Sequence, residues 1–191
     1  MCSDWWVFEL LLFISGYAGV TEQAAFVILV SVTALLFMVP LGLSVTACTL
    51  IGNSIGRQDV PLAKRFFKLI SEYTLVYCLI MAVVLVVFRA EVAGLFTDQD
   101  QVKQLVIHCL PVVAFKYIFD GYQGMLGIGV IPALGMQSVG SKITVSIAYL
   151  VTLPMGCLLC FVLELGVIGL TWGSCISHIV QSTAYVIVIL Q

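Results

Sequence analysis

Asp4-Trp5-Trp6-Val7-Phe8-Glu9 opens an apolar run that continues through Leu10-Leu11-Leu12-Phe13-Ile14-Ser15-Gly16 and ends near Thr21-Glu22. Two carboxylates therefore stand among aromatic rings in a stretch otherwise as apolar as lipid. An acid inside a membrane span is costly, and it marks a functional site by default. The run is short for such a span: about 16 residues from Trp5 to Val20, where a crossing helix takes about 20. That shortfall is expected of a chain that begins partway along a longer helix.

The rest of the chain decides that the solvent is lipid. Hydrophobic residues make up 62% of the 191 residues and charged residues 9%, with a mean hydropathy of +1.17. A soluble domain carries about 25% charged residues, so this chain has too few to cover a globule in water. The net charge of −2 and the lack of a basic tract exclude nucleic acid as a partner. Six of the seven cysteines lie within apolar runs, where cysteine packs as a small hydrophobe. Cys157-x-x-Cys160 has no second pair or histidine cluster to complete a metal or redox motif. Met1 leads straight into acid and tryptophan without a basic leader, so the spans are expected to serve as their own insertion signals.

The pattern predicts an all-α, multi-pass membrane protein, one six-helix bundle over residues 1–191. Its spans are expected near residues 4–20, 23–51, 61–88, 101–131, 142–163 and 167–190. Pro40 falls inside the second span, where the loss of one backbone bond is tolerated if neighbours satisfy the freed carbonyl. Gly52 to Asp59 reads as a polar turn, with Asp59 capping the next helix and Pro61 in its first turn. Lys64, Arg65 and Lys68 alternate with apolar residues, as in a helix lying along the interface. Asp98 and Asp100 are candidate caps after a second polar turn. Glycines 121, 124, 127 and 129, with Pro132 and Gly135, predict a bent or loosened helix end. Glu164-Leu165-Gly166 predicts a tight turn, and Gly169 to Gly173 offers a small-xxx-small packing face. Five basic residues (Arg57, Lys64, Arg65, Lys68, Lys142) share one side and two (Arg89, Lys103) the other, which places the first group and both ends in the cytosol.

Two acids are expected deep in the bilayer. Glu9 lies about 7 Å along the helix axis from Asp4, and its side chain is too short to reach water readily. Desolvation disfavours a charged carboxyl group, so Glu9 is the first candidate for exchanging a proton for a cationic ligand. Trp5, Trp6 and Phe8 supply rings for cation–π contacts. Asp4 is the third candidate; it reads equally as an interfacial cap beside an aromatic belt. Asp120 is the second candidate, with Gln123 on nearly the same face and Lys116 one turn earlier, close enough to form an ion pair. That pair is open to two readings, a second protonatable site or a self-neutralised strut. His108 and His178 lack partners at ligand spacing and are expected to be structural or interfacial. Gly124-x-x-Gly127-x-Gly129 follows a helix and not a strand, so it is no nucleotide fingerprint. No catalytic constellation is present, and the chain is not expected to be an enzyme or to hold a cofactor other than a coupling ion, H+ or Na+.

Taken together these motifs resemble the multidrug and toxin extrusion (MATE) family. Asp4 to Glu9 with Leu12 to Gly16 is similar to the opening of the family's seventh helix. Met38-Val39-Pro40-x-Gly42 and Gly52-Asn53-x-x-Gly56 resemble the eighth helix and its loop. Asp120-x-x-Gln123-Gly124-x-Leu126 and Gly135-x-Gln137-x-x-Gly140 resemble the tenth helix and its exit, and Leu153-Pro154-x-Gly156 and Gly166-x-x-Gly169-Leu170-x-Trp172 the last two. The resemblance implies the carboxy-terminal lobe of a twelve-helix antiporter that exports small organic cations, xenobiotics or metabolites by alternating access. It implies exchange roles for Glu9, Asp120 and Asp4, a cavity that includes Gln123, Trp6 and Lys116, and partners in the bilayer and in a missing amino-terminal lobe or a second copy. The plasma membrane and a vacuolar-type membrane fit equally. Asp4 stands where the family has glutamate, Ser31 where animal members have glutamate, Pro132 where arginine is common, and Lys116 is unexpected. Other readings are a non-transporting lobe that assembles with or regulates a partner, or a lipid-linked-sugar flippase, whose pyrophosphate would call for more basic residues.

Overall fold

The computed structural model describes residues 2–190, with side chains described for residues 6–189. Each long apolar run becomes a helix, because a chain in hydrocarbon must satisfy its own backbone polar groups. Helix α1 covers Cys2–Ala18, α2 Val20–Gly56, α3 Val60–Val87 and the short α4 Arg89–Phe96. Helix α5, Asp100–Gly124, continues through a π-helical turn at Met125–Val130 into α6, Ile131–Ala133. The next rod joins α7 (Gln137–Ile147) and α8 (Leu153–Cys157) through π-helical Ala148–Thr152 and ends in π-helical Leu158–Val162. Helix α9 is Gly166–Leu190. Among the described residues there are no strands.

Five of these rods are long and apolar enough to cross a membrane, and the apolar part of α1, Trp6–Ala18, is a shorter sixth. Their crossing windows are only 28–44% buried. Much of their apolar surface therefore faces outward, and lipid is the solvent that accepts it. Helix α5 runs through the middle of the bundle, packed against α2, α3 and α9.

Pro40 behaves as its chemistry requires. It has no amide to give the Leu36 carbonyl, and the Tyr117 hydroxyl donates to that oxygen at 2.8 Å, with the Tyr77 hydroxyl at 3.4 Å. The glycine-rich end of α5 is wound as a π-helix and not unwound, and it packs tightly. A Cβ on Gly129 would stand 2.7 Å from the Ser44 carbonyl oxygen. The small-residue face of α9 finds its partner in the preceding rod, with Gly169 against Leu159 and Gly173 against Gly156. Asp59 caps α3 by accepting from the Leu62 amide at 3.0 Å, and Glu164 and Gly166 both take positive φ in the predicted tight turn.

Several boundaries move. Thr21 and Glu22 do not end the first span; Gly19, at φ 143°, makes the turn and Glu22 lies in the first turn of α2. The Glu22 carboxylate instead reaches the other end of the chain, where its Oε2 accepts from the Val167 amide at 2.8 Å. That fills one of the vacant donors at the start of α9. Helix α2 persists to Gly56, so the polar turn is limited to residues 57–59. The basic segment is no separate interfacial helix. With 28 residues, α3 is about 42 Å long against an apolar core of about 30 Å, so its exposed Lys64, Arg65 and Lys68 project as a continuous extension. Neither Asp98 nor Asp100 caps α5. Gln99 is its N-cap residue, and the Thr97 hydroxyl accepts from the Gln99 amide.

Candidate functional site

A polar stripe runs down the buried side of α9. Thr171, Ser174, His178, Gln181 and Tyr185 recur at alternating steps of three and four, which stacks them on one helix face, and all are buried. At its lower end Gln181 donates to the Thr144 and Tyr185 hydroxyls at 3.2 and 3.1 Å, tying α9 to α7. At its centre His178 Nε2 meets Asp120 Oδ1 of α5 at 3.0 Å. The other ring nitrogen, Nδ1, contacts the Ser174 carbonyl one turn earlier. Asp120 and His178 are each only 8% exposed, so this is a carboxylate–imidazole pair held inside the apolar bundle.

Lys116 does not pair with Asp120 as the sequence spacing suggests. Its ammonium lies 5.3 Å from the centre of the Phe8 ring on α1, a cation–π contact strengthened by removal from water. His178 already faces one oxygen of Asp120, and the aromatic face gives the lysine a separate site. Lys116, Phe8, Thr33, Thr171 and Ser174 border a cavity of about 10 Å³, about the room one water needs. The three hydroxyls donate to carbonyls of their own helices, which leaves oxygen lone pairs toward that space.

The second acid lies elsewhere. Glu9 is exposed on the outer face of α1, beside Trp6, Leu10 and Phe13 around a shallow groove of about 350 Å³. The chain's own packing therefore does not supply the desolvation expected for Glu9. The structure unites Glu9 with Trp6, and separately unites Asp120 with His178, with Lys116 one turn away. Gln123 is half-buried on the next turn of α5. The side chain of Asp4 lies outside the described residues. His178, expected to be structural, is the residue the sequence reading missed; the buried polar stripe at helical spacing was the signal for it. Cys157 and Cys160 are free thiols, the latter in the core.

The family model described as MatE matches residues 1–162. The chain belongs to the MatE family. It is 30% identical over its full length to Multidrug and toxin extrusion protein 1 of Pongo abelii and of Homo sapiens, covering 33% of each. The same identity and coverage relate it to Multidrug and toxin extrusion protein 2 of Mus musculus. The chain thus spans about a third of the length of the curated relatives it matches. Among solved structures it resembles the eukaryotic MATE transporter AtDTX14 with a TM-score of 0.92 at 24% identity, covering all of this chain and 43% of that one. It also resembles an outward-facing multidrug resistance MATE transporter, with a TM-score of 0.87 at 17% identity over 96% of this chain and 41% of that one. The MatE assignment accounts for the all-helical, multi-pass architecture and places the chain in a family of transporters.

Proposed function

We propose that this chain forms one lobe of an antiporter that exports small organic cations in exchange for protons by alternating access. The observation that carries the reading is Asp120, a carboxylate buried 3.0 Å from an imidazole at the centre of the bundle. Exchanging a proton for a ligand's charge is the chemistry open to such a group, and acids in this position mark ion and proton pathways. The Trp6–Glu9–Phe13 groove suits the substrate. Aromatic faces and a carboxylate together attract an organic cation, and the cover that desolvates Glu9 would come from the partner lobe. The names of the relatives, drug and toxin extrusion proteins, agree with that class. A carboxylate–imidazole pair favours the proton as coupling ion, whereas sodium calls for a shell of oxygen ligands.

The test is Glu9→Gln in the full-length transporter, reconstituted in vesicles and loaded with a fluorescent organic cation. Efflux driven by a pH gradient is expected to fall to background, and an imposed sodium gradient is not expected to restore it. Unchanged efflux overturns the exchange role of Glu9.

A further inference from the structure

We propose that His178 is a positioning residue for proton exchange, forming with Asp120 a single-proton bridge between α9 and α5 that breaks when the proton leaves. The proposal rests on the proton-exchange reading of Asp120 given above. It comes from counting donors. The Ser174 carbonyl can only accept, so the Nδ1 that contacts it carries the hydrogen. A neutral His178 is then left with a bare lone pair on Nε2. Facing it at 3.0 Å is Asp120 Oδ1, which is also only an acceptor when ionised. Two acceptors at hydrogen-bond distance require a proton between them. With Nδ1 as the donor, this arrangement calls for one proton more than neutral histidine plus carboxylate, and the pair shares it whichever atom it sits on.

Loss of that proton to water leaves a carboxylate and a neutral imidazole with opposed lone pairs, and the bridge has no remaining bond. The surroundings decide where the freed carboxylate turns. On α5, Lys116 lies one turn from Asp120 and Tyr117 beside it. Helix α3 presents Cys78 and Tyr77 to the same region. Around Asp120, α2 presents Leu36, Phe37 and Pro40, none of them titratable; its Glu22 lies toward Cys109, at the other end of α5. The stretch facing α9 from the preceding rod, residues 144–156, has Tyr149, which is exposed. Among the described side chains of α1, Glu9 and Tyr17 are titratable, and both are exposed. Among the described residues Lys116 is the cation near the freed carboxylate, and it reaches it by leaving the Phe8 ring. With the proton bound, the pair is neutral, and among the described residues Lys116 leaves this cluster at +1. With the proton gone the same cluster is neutral, and a monovalent cation entering restores +1. Proton and substrate cation become alternatives for one unit of charge.

The experiment measures ethidium efflux from vesicles as a function of internal and external pH for the full-length wild type, His178→Gln and Asp120→Asn. Glutamine can donate to Asp120 but cannot titrate. His178→Gln is expected to lose the pH dependence of efflux, with a fall of about tenfold or more. A wild-type pH profile in His178→Gln, with the profile lost in Asp120→Asn, overturns the proposal and leaves proton exchange at Asp120 standing. A retained profile in Asp120→Asn overturns the underlying reading instead. If His178→Gln does not reach the membrane, hydrogen exchange on the wild type decides. Between about pH 5 and about pH 8, amides flanking His178 and Asp120 are expected to lose protection at the higher pH, after correction for intrinsic rates. Equal protection at both ends overturns the bridge.

Discussion

Asp120 and Glu9 are both acids in apolar helices, and the chain places them in opposite circumstances. Asp120 is enclosed by α5, α9 and α3, and its partner sits on a helix far away in sequence. Glu9 looks outward across a groove formed by its own helix. One acid is a member of the bundle's interior and the other a feature of its edge. The difference teaches that two acids in equally apolar helices can differ entirely in surroundings: Asp120 gets its environment from this chain, whereas Glu9 is left on its surface.

The contrast predicts where mutation is felt. The largest difference is expected in stability. Asp120→Ala removes one member of a buried polar pair and should lower the unfolding free energy in detergent by about 3 kcal/mol or more. Glu9→Ala should change it by less than about 0.5 kcal/mol. Equal losses would erase the distinction between interior and edge. Next in size is the packing around the interior seam. Gly129→Leu drives a side chain into the Ser44 carbonyl and should cost about 1–3 kcal/mol, whereas Gly42→Leu, with open space around it, should be nearly neutral in the same unfolding measurement. The smallest expected effect tests the carbonyl freed by Pro40. Tyr117→Phe removes the shorter bond to the Leu36 carbonyl and should cost about 1 kcal/mol. Adding Tyr77→Phe should cost more than the sum of the two single changes, because either hydroxyl can serve that oxygen; strict additivity in a double-mutant cycle would refute the sharing.

Much of the architecture was written locally. Long apolar runs, the Asp59–Pro61 helix start, the proline inside the second span and the small-residue face of α9 each depend on residues close in sequence, and the structure keeps them. The glycine-rich end of α5 was legible as irregular but not as π-helical, since the winding is set by close packing against Ser44, Phe37 and Tyr185. The site was only half legible. Asp120 and Lys116 sit at ion-pair spacing, yet a helix neighbour loses to a better-placed group from another helix. His178 looked solitary because its partner is tertiary. Its stripe of Thr171, Ser174, Gln181 and Tyr185 was a local signal, and reading α9 for polar periodicity as well as apolar content exposes it. Glu22 was misread for the same reason: an acid beside a turn is an ordinary boundary marker unless the far end of the chain comes back to it.

That return has a mechanical consequence. The bond from the Val167 amide to Glu22 joins residues 145 apart in sequence and fastens the start of the last helix to the first connection. Gly166 is bound into the same knot, since its φ of +55° and the carboxylate 2.7 Å from a would-be Cβ leave no room for a side chain. On this side of the bundle the first turn of α2 is thereby latched to the first turn of α9, and any separation of those two helix ends has to break the latch.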